Sequence, residues 1–378
     1  MKIKAAVLHQ QDNSRPFAQS RPFSIEEVDL DGPGPGEVLV EVRAAGICHS
    51  DLSVLKGLRK RRLPVVGGHE AAGIVRETGK GVVGLTPGDH VIMTVVAGCG
   101  ECDYCRQDWP ALCTGVSMAR AQGLLSNGER RLSRNGTPLY HYSGISGFAE
   151  YAVCMENSLV RIDPAVPLDI AAMFGCAVVT GVGAVFNTAA VAPGNTVVVN
   201  GLGGVGLNSI MAAKLAGASR IVGIDIRADK FPLAAELGAT DLFNATDPDL
   251  VSKVTQATGG GAHYLFEMSA AKPAITMATD LVRPRGEVIC VGLGATNDLY
   301  EFKHTPMAAA EKCIRGCVMG SCVPSRDIPQ YVDHFLTGKL PVDRLRSDYI
   351  TFDDLNEAFD RLADGNTIRQ ILLPHGSL

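Results

Sequence analysis

The sequence predicts an α/β protein, with a doubly wound parallel sheet in the middle of the chain and a β-rich part before it. Three observations carry this expectation. From about Thr196, short apolar runs alternate with helical stretches, the pattern of a parallel sheet covered by helices on both faces. A glycine-rich turn, Gly201 to Gly206, lies where one of those strands ends and a helix opens. In the first third, apolar residues recur instead with a period of two, as in half-buried strands.

Taken in order, the turn cluster Gly32-Pro33-Gly34-Pro35-Gly36 leads into a strand from Glu37 to Arg43, with Val38, Val40 and Val42 on one face. Val65-Val66 and Gly73-Ile74-Val75 suggest further strands, and Thr86-Pro87-Gly88-Asp89 turns into His90 to Met93. Residues 98–148 show little periodicity and read as a loop region. Next come a strand at Thr196 to Asn200, a helix at Leu207 to Ala216 and a strand at Arg220 to Asp225. A helix at Phe231 to Leu237 and strands at Tyr264 to Glu267 and Glu287 to Gly292 follow; a helix at Asp353 to Ala363 and a strand at Arg369 to Leu373 end the chain. Ile170 to Ala213 carries no charge, but Gly175, Gly181, Gly183, Pro193 and Gly194 interrupt it. It reads as buried parallel sheet rather than a membrane span, which needs roughly 20 consecutive apolar residues.

With 378 residues the chain has room for two or three domains. Its 46% hydrophobic and 20% charged residues describe a folded, well-cored protein. The net charge of −5 gives no basic surface for nucleic acid or an anionic membrane. The first residues offer only Ala5-Ala6-Val7-Leu8 as an apolar run, too short for a signal peptide, so a cytoplasmic location is expected. Thiols stay reduced there, and clustered cysteines more often bind metal or act in catalysis. The chain has 11 cysteines.

Gly201-Leu202-Gly203-Gly204-Val205-Gly206 is a GxGxxG directly after a strand. Its first glycine allows the tight turn, the second lets the backbone approach a pyrophosphate, and the third packs helix on strand. Asp225 closes the next strand at about the 20-residue spacing where an acid hydrogen-bonds a ribose 2′-OH. A carboxylate there also repels a 2′-phosphate, which favours NAD over NADP. Arg227 points the other way, since a nearby arginine can accept that phosphate. Cys99-x2-Cys102-x2-Cys105-x7-Cys113 suits a closed tetrahedral zinc site that staples irregular chain, with free thiols or disulfides as the alternatives. A dispersed set, Cys48, His69 and Cys176, would make a Cys2His zinc site with an open fourth position. By spacing alone, these residues pack in a core just as readily.

Together these residues resemble the zinc-dependent medium-chain alcohol dehydrogenases, over nearly the whole chain and in the order that family has them. The match includes Gly68-His69-Glu70-Ala71-Ala72-Gly73 with Gly79 and Val82, the four-cysteine loop, Gly175-Cys176 and the glycine fingerprint. The resemblance implies a β-rich, GroES-like catalytic domain from residues 1–177 and 320–378 around a Rossmann-type coenzyme domain, 178–319. It implies two zinc ions per chain and NAD(H), with the catalytic zinc on Cys48, His69 and Cys176. The segment after Cys113 is similar to that of the dimeric, liver-type branch, so a homodimer is expected.

In family terms zinc lowers the pKa of a bound alcohol, and hydride passes to a nicotinamide held nearby. Asp51 would orient His69, Glu70 would sit behind the metal, and Ser50 would take the alcohol proton. Ser53 stands where liver-type relatives end the relay in a histidine, and a serine cannot be the terminal base. His49 replaces an arginine near the pyrophosphate; imidazole is mostly neutral at pH 7, so looser coenzyme binding is expected. Thr180, Lys230, Arg369 and Leu293 complete the implied coenzyme contacts. Val95 replaces an aromatic of ethanol-active forms and Ser50 is the smaller of two hydroxyl options. With Tyr142 and Leu293 these point to bulky aromatic or long-chain alcohols or the matching aldehydes. Glutathione-dependent formaldehyde dehydrogenases rank second, because Ser117 stands at their glutathione-anchoring arginine. A non-catalytic relative or a zinc-free quinone reductase would be expected to lack zinc ligands that are present here.

Overall fold

The computed structural model describes all 378 residues. The chain forms two compact units. One contains Met1–Cys176, Val323–Val332 and Val342–Leu378; the other contains Ala177–Cys322 and Asp333–Pro341. The expected domain limits lay at 177/178 and 319/320, whereas residues 177, 320–322 and 333–341 group with the second unit.

The first unit is built on two sheets. In one, Phe23–Leu30, Lys2–Leu8 and Val65–Val66 lie side by side, with short strands flanking them. The other runs Leu159–Ile162, His90–Met93, Ala71–Thr78, Glu37–Gly46, Arg369–Leu372, Arg346–Ile350, with Tyr151–Met155 also on Glu37–Gly46. Glu37–Gly46 is longer than expected and buried on both faces, not one. Even Glu41 is only 7% exposed, its carboxylate paired with Arg43 and Arg76.

The second unit holds a six-stranded sheet in the order Asp241–Asn244, Arg220–Asp225, Thr196–Asn200, Ala262–Glu267, Val282–Cys290, Cys313–Gly316. Every neighbouring pair is parallel. In chain order that is 3-2-1-4-5-6, with its reversal between Thr196–Asn200 and Ala262–Glu267, where Rossmann-type sheets take their ligands. Val197, Val198 and Val199 are fully buried, as a strand covered on both faces requires.

Two expectations fail. The uncharged stretch is not all sheet: Leu168–Thr188 is one helical run, long and apolar enough to cross a membrane, with 94% of its apolar window buried inside the protein. Residues 98–148 are not plain loop. They contain helices Asp103–Arg106 and Thr114–Ala121 and short strands at Leu132–Arg134, Thr137–Pro138 and Tyr140–His141.

Glu37 fastens this region to the first strands. Its fully buried carboxylate accepts Nε of Arg131 at 2.7 Å, Nδ2 of Asn127 at 2.7 Å and the Gly34 N–H at 2.7 Å. Burial raises the carboxyl pKa, but Arg131, Asn127 and the Gly34 N–H outweigh it and hold the value below the ordinary 4.5. A lowered folded-state pKa contributes stability above the unfolded value, lost as pH falls through the folded one. Glu37→Gln breaks the pair with Arg131 and should cost ~3 kcal/mol at pH 7. Thermal unfolding from pH 7 to 3 should show the variant losing less stability than wild type below pH 4.5.

Candidate functional site

Antiparallel pairing brings the dispersed cysteines and histidine together. Strand Glu37–Gly46 ends beside the start of Ala71–Thr78, with Ala45 opposite Ala71. Cys48, just past the first strand, and His69-Glu70, just before the second, therefore lie side by side. Cys176 arrives on a π-helical turn, Phe174–Val178, an irregularity frequent at functional sites. Thr94 Oγ1 donates to the Gly175 carbonyl at 3.1 Å, tying that turn to the end of strand His90–Met93. One donor atom each from Cys48, His69, Glu70 and Cys176 then lies within 4.8 Å of the others, all four residues buried.

Asp51 sets the geometry. Cys48 caps helix His49–Leu55, and its N–H donates to Asp51 Oδ2 at 3.2 Å. The other oxygen, Oδ1, lies 2.8 Å from His69 Nδ1. This fixes Nδ1 as the donor and leaves the Nε2 lone pair facing the sulfurs; Nε2 is buried and has no hydrogen-bond partner. The hydrogen bond with Cys176 pulls the Cys48 thiol well down against burial, while the same bond and burial push Cys176 well up. Burial disfavours a charged His69, yet Asp51 and Cys48 raise its pKa. The pocket thus calls for positive charge between two thiols and an imidazole, which a zinc ion meets by holding both sulfurs as thiolates. The donor set fits the metal.

Behind it, the Glu70 carboxylate is 3.4 Å from Arg369 Nη1, which also donates to the Ile47 carbonyl at 2.9 Å. Burial pushes the Glu70 pKa up to about 7 against the pull of Arg369. Arg369 is 4% exposed and remains cationic, because Glu70 and Cys48 outweigh its own burial.

The four-cysteine loop closes in the same way. The sulfurs of Cys99, Cys102, Cys105 and Cys113 all lie within 4.8 Å of one another. The Cys102 N–H points at Cys99 Sγ and the Cys99 N–H at Cys113 Sγ, each at 3.4 Å. The Cys105 N–H pulls the Cys102 thiol down to about 6, and burial pushes Cys105 up to about 12. Four such neighbours ionise together only around a cation. No disulfide forms, and all eleven cysteines are free. Of the other five, Cys154, Cys317 and Cys322 are buried, whereas Cys290 is half-buried and Cys313 is exposed on an edge strand.

In the second unit the glycine loop follows strand Thr196–Asn200. Gly201 has φ +105, and a Cβ on Gly206 would sit 1.9 Å from the Gly201 carbonyl oxygen. Gly203 caps helix Gly204–Leu215, which also carries Val205, and a Cβ at Gly203 would meet nothing within 4 Å. This leaves backbone N–H groups open to a pyrophosphate. Asp225, at the end of the next strand, accepts the Leu202 N–H at 2.7 Å, Lys230 Nζ at 3.0 Å and the Arg227 N–H at 2.9 Å. The Arg227 guanidinium pairs with both oxygens of Asp229, at 3.1 and 2.7 Å. Thr180 is buried, its Oγ1 3.7 Å from Met319 Sδ, and Leu293 is 54% exposed.

Among the remaining residues of the first unit, His49 is exposed and Ser50 half-buried on helix His49–Leu55. The Ser53 hydroxyl donates to the His49 carbonyl at 2.9 Å within the same helix. Tyr142 is buried, its ring 5.8 Å from that of His69 and its hydroxyl 3.5 Å from the Ser50 carbonyl oxygen. Val95 is 8% exposed. Sequence reading missed Arg61, which lies 5.4 Å over the Tyr142 ring. The basic run Arg59-Lys60-Arg61-Arg62, just before the His69 motif in a net acidic chain, is the signal that could have found it.

Residues 34–164 match the alcohol dehydrogenase GroES-like domain family and residues 204–337 the zinc-binding dehydrogenase family. An S-(hydroxymethyl)glutathione dehydrogenase of Escherichia coli is 36% identical over 98% of this chain and 100% of its own. An alcohol dehydrogenase zinc-binding domain protein of Burkholderia ambifaria superposes with a TM-score of 0.93 at 35% identity, over 99% of this chain and 100% of that one. The benzyl alcohol dehydrogenase of Acinetobacter calcoaceticus gives 0.92 at 32% identity, over 99% of both chains. Two matched domain families, relatives of this identity over the full length, and the two candidate metal clusters lead to one conclusion: the chain belongs to the zinc-dependent medium-chain alcohol dehydrogenases, oxidoreductases that use zinc and a nicotinamide coenzyme.

Proposed function

We propose that the protein oxidises bulky primary or secondary alcohols, aromatic or long-chain, to the carbonyl compound with NAD, and runs the reverse reaction as well. The buried Cys48–His69–Cys176 cluster, with the orphaned His69 Nε2 held on course by Asp51, carries the reading. Small Val95 and Ser50 leave room for a large substrate, and the similarity to a benzyl alcohol dehydrogenase supports that choice. NAD is favoured over NADP because Asp225 would face the ribose while Arg227 is already neutralised by Asp229.

In this reading Cys48, His69 and Cys176 hold the catalytic zinc, and Cys99, Cys102, Cys105 and Cys113 a structural one. Bound zinc supplies Lewis acidity and bound NAD accepts the hydride. Ser50 takes the alcohol proton. Ser53 does not end the relay, because its hydroxyl donates to the His49 carbonyl, so the proton leaves through water. Glu70, with a pKa of about 7, and Arg369 balance charge behind the zinc. His49, Thr180, Lys230, Arg369 and Leu293 serve the coenzyme. The first unit acts as catalytic domain and the second as coenzyme domain. The fully exposed edge strand Cys313–Gly316, with Ile314 42% exposed, supports a homodimer, and eleven free cysteines suit the cytoplasm. Oxidation of S-(hydroxymethyl)glutathione is the second reading, favoured by the 36% identity to such an enzyme and disfavoured by Ser117.

An alcohol panel followed at 340 nm with NAD and NADP tests the substrate and coenzyme choices. We expect kcat/KM for benzyl alcohol to exceed that for ethanol by at least ~10-fold, with NAD preferred, in line with the few kcal/mol an apolar pocket can discriminate. A best value for ethanol would refute the bulky-substrate reading. Elemental analysis should find about two zinc ions per chain, falling to about one in Cys105→Ser. Asp51→Asn should weaken the catalytic zinc ~10–100-fold, read by competition with a chelator. If His49 in place of an arginine loosens the coenzyme, stopped-flow NADH release should slow in His49→Arg; an unchanged rate counts against that role.

A further inference from the structure

Two arginines of the first unit have no carboxylate partner. Arg120 lies in helix Thr114–Ala121, one turn after Val116 and on the same face. With Val95, Val116, Leu125 and Ser143 it lines a narrow cleft. It is half-buried, and burial pushes its pKa down to about 10. No carboxylate or carbonyl anywhere in the chain answers it; the influences on it are the Cys113 thiol and the repulsion of Arg61. Arg61 is the second. Its guanidinium lies 5.4 Å over the Tyr142 ring, which is 5.8 Å from the His69 ring. Its Nε is buried with no hydrogen-bond partner, and its Nη1 reaches only the Lys60 carbonyl, at 3.4 Å.

Two like charges partly withdrawn from water, close enough to repel and without a counter-charge, are costly to fold. The chain carries 40 acidic residues and places none of them here. An anion supplied from outside would satisfy both groups, and a planar guanidinium fork matches a carboxylate. Tyr142, beside the His69 ring, joins this region to the Cys48–His69–Cys176 cluster.

We propose that Arg120 and Arg61 receive a carboxylate carried by the substrate alcohol, whose apolar body lies along Val95 and Tyr142 with its hydroxyl towards Cys48, His69 and Cys176. The inference rests on the alcohol-oxidising reading above and narrows it to acidic substrates. The carboxylate can belong to an aromatic alcohol or to the peptide of a glutathione adduct, and the two sources are separable.

The test compares kcat/KM for 4-(hydroxymethyl)benzoate, S-(hydroxymethyl)glutathione and benzyl alcohol in the full-length zinc-loaded enzyme with NAD. Variants are Arg120→Met, Arg61→Met and Arg120→Lys, each checked for zinc content and Tm. At least one acidic substrate should exceed benzyl alcohol ~10-fold in wild type. That ratio should collapse in either methionine variant, recover partly in Arg120→Lys and shrink with added salt; whichever acidic substrate shows it identifies the source. A ratio near one in wild type, or one that both methionine variants leave intact, overturns the proposal. Calorimetric binding of 4-(hydroxymethyl)benzoate and of S-(hydroxymethyl)glutathione separates the two readings. Binding of either that weakens ~10-fold in Arg120→Met without turnover of any alcohol keeps the arginine site and discards alcohol oxidation. Turnover of benzyl alcohol with no arginine-dependent binding or preference does the reverse.

Discussion

The Asp51 carboxylate serves two needs at one place. One oxygen satisfies the buried Cys48 N–H at the start of helix His49–Leu55, and the other orients the His69 ring. The position of Cys48 and the direction of the His69 Nε2 lone pair are therefore set by the same side chain. Around it the buried charges do not balance by themselves. Asp51, Glu70 and two cysteines face only His69 and Arg369. Buried ions are tolerated only when paired, so this part of the protein is built for a divalent cation. The divergent pKa values of Cys48 and Cys176 express the same imbalance within the chain.

Both chemical sites sit where regular structure stops. The cluster of the first unit lies just past the paired ends of Glu37–Gly46 and Ala71–Thr78, with Cys176 on a π-helical turn. In the second unit the glycine loop and Asp225 end neighbouring strands of a parallel sheet. In each case a rigid sheet positions short irregular segments whose polar groups remain open to a ligand. Glu37 applies the same principle to stability: a buried carboxylate anchors the irregular 98–148 region onto a strand.

What could be read from the sequence was what depends on local backbone rules. His90–Met93, Thr196–Asn200, Arg220–Asp225 and Phe231–Leu237 have the limits expected from their patterns, and the glycine loop has the strand–turn–helix context its spacing demanded. The four-cysteine loop was readable because its spacing is short. Leu168–Thr188 was misread as sheet because a helix apolar on every side has no periodicity to distinguish it from buried strands. Cys48, His69 and Cys176 required a family resemblance, since only long-range pairing unites them. Arg61 and Arg120 went unnoticed because the meaning of an arginine lies in the partner it lacks.

The four-cysteine loop also has a bearing on handling. Its Cys99 is exposed, and Cys99 Sγ is 3.9 Å from Cys105 Sγ. While a metal shares these sulfurs, they are unavailable as nucleophiles. Once a chelator strips it, thiols this close, with neighbouring Cys102 at a pKa of about 6, are primed for air oxidation into cross-links. Metal loss would then pass from a reversible equilibrium to a covalent trap. Preparations kept with chelator but no reductant would lose activity that added zinc cannot restore, whereas a reductant given together with zinc would recover it.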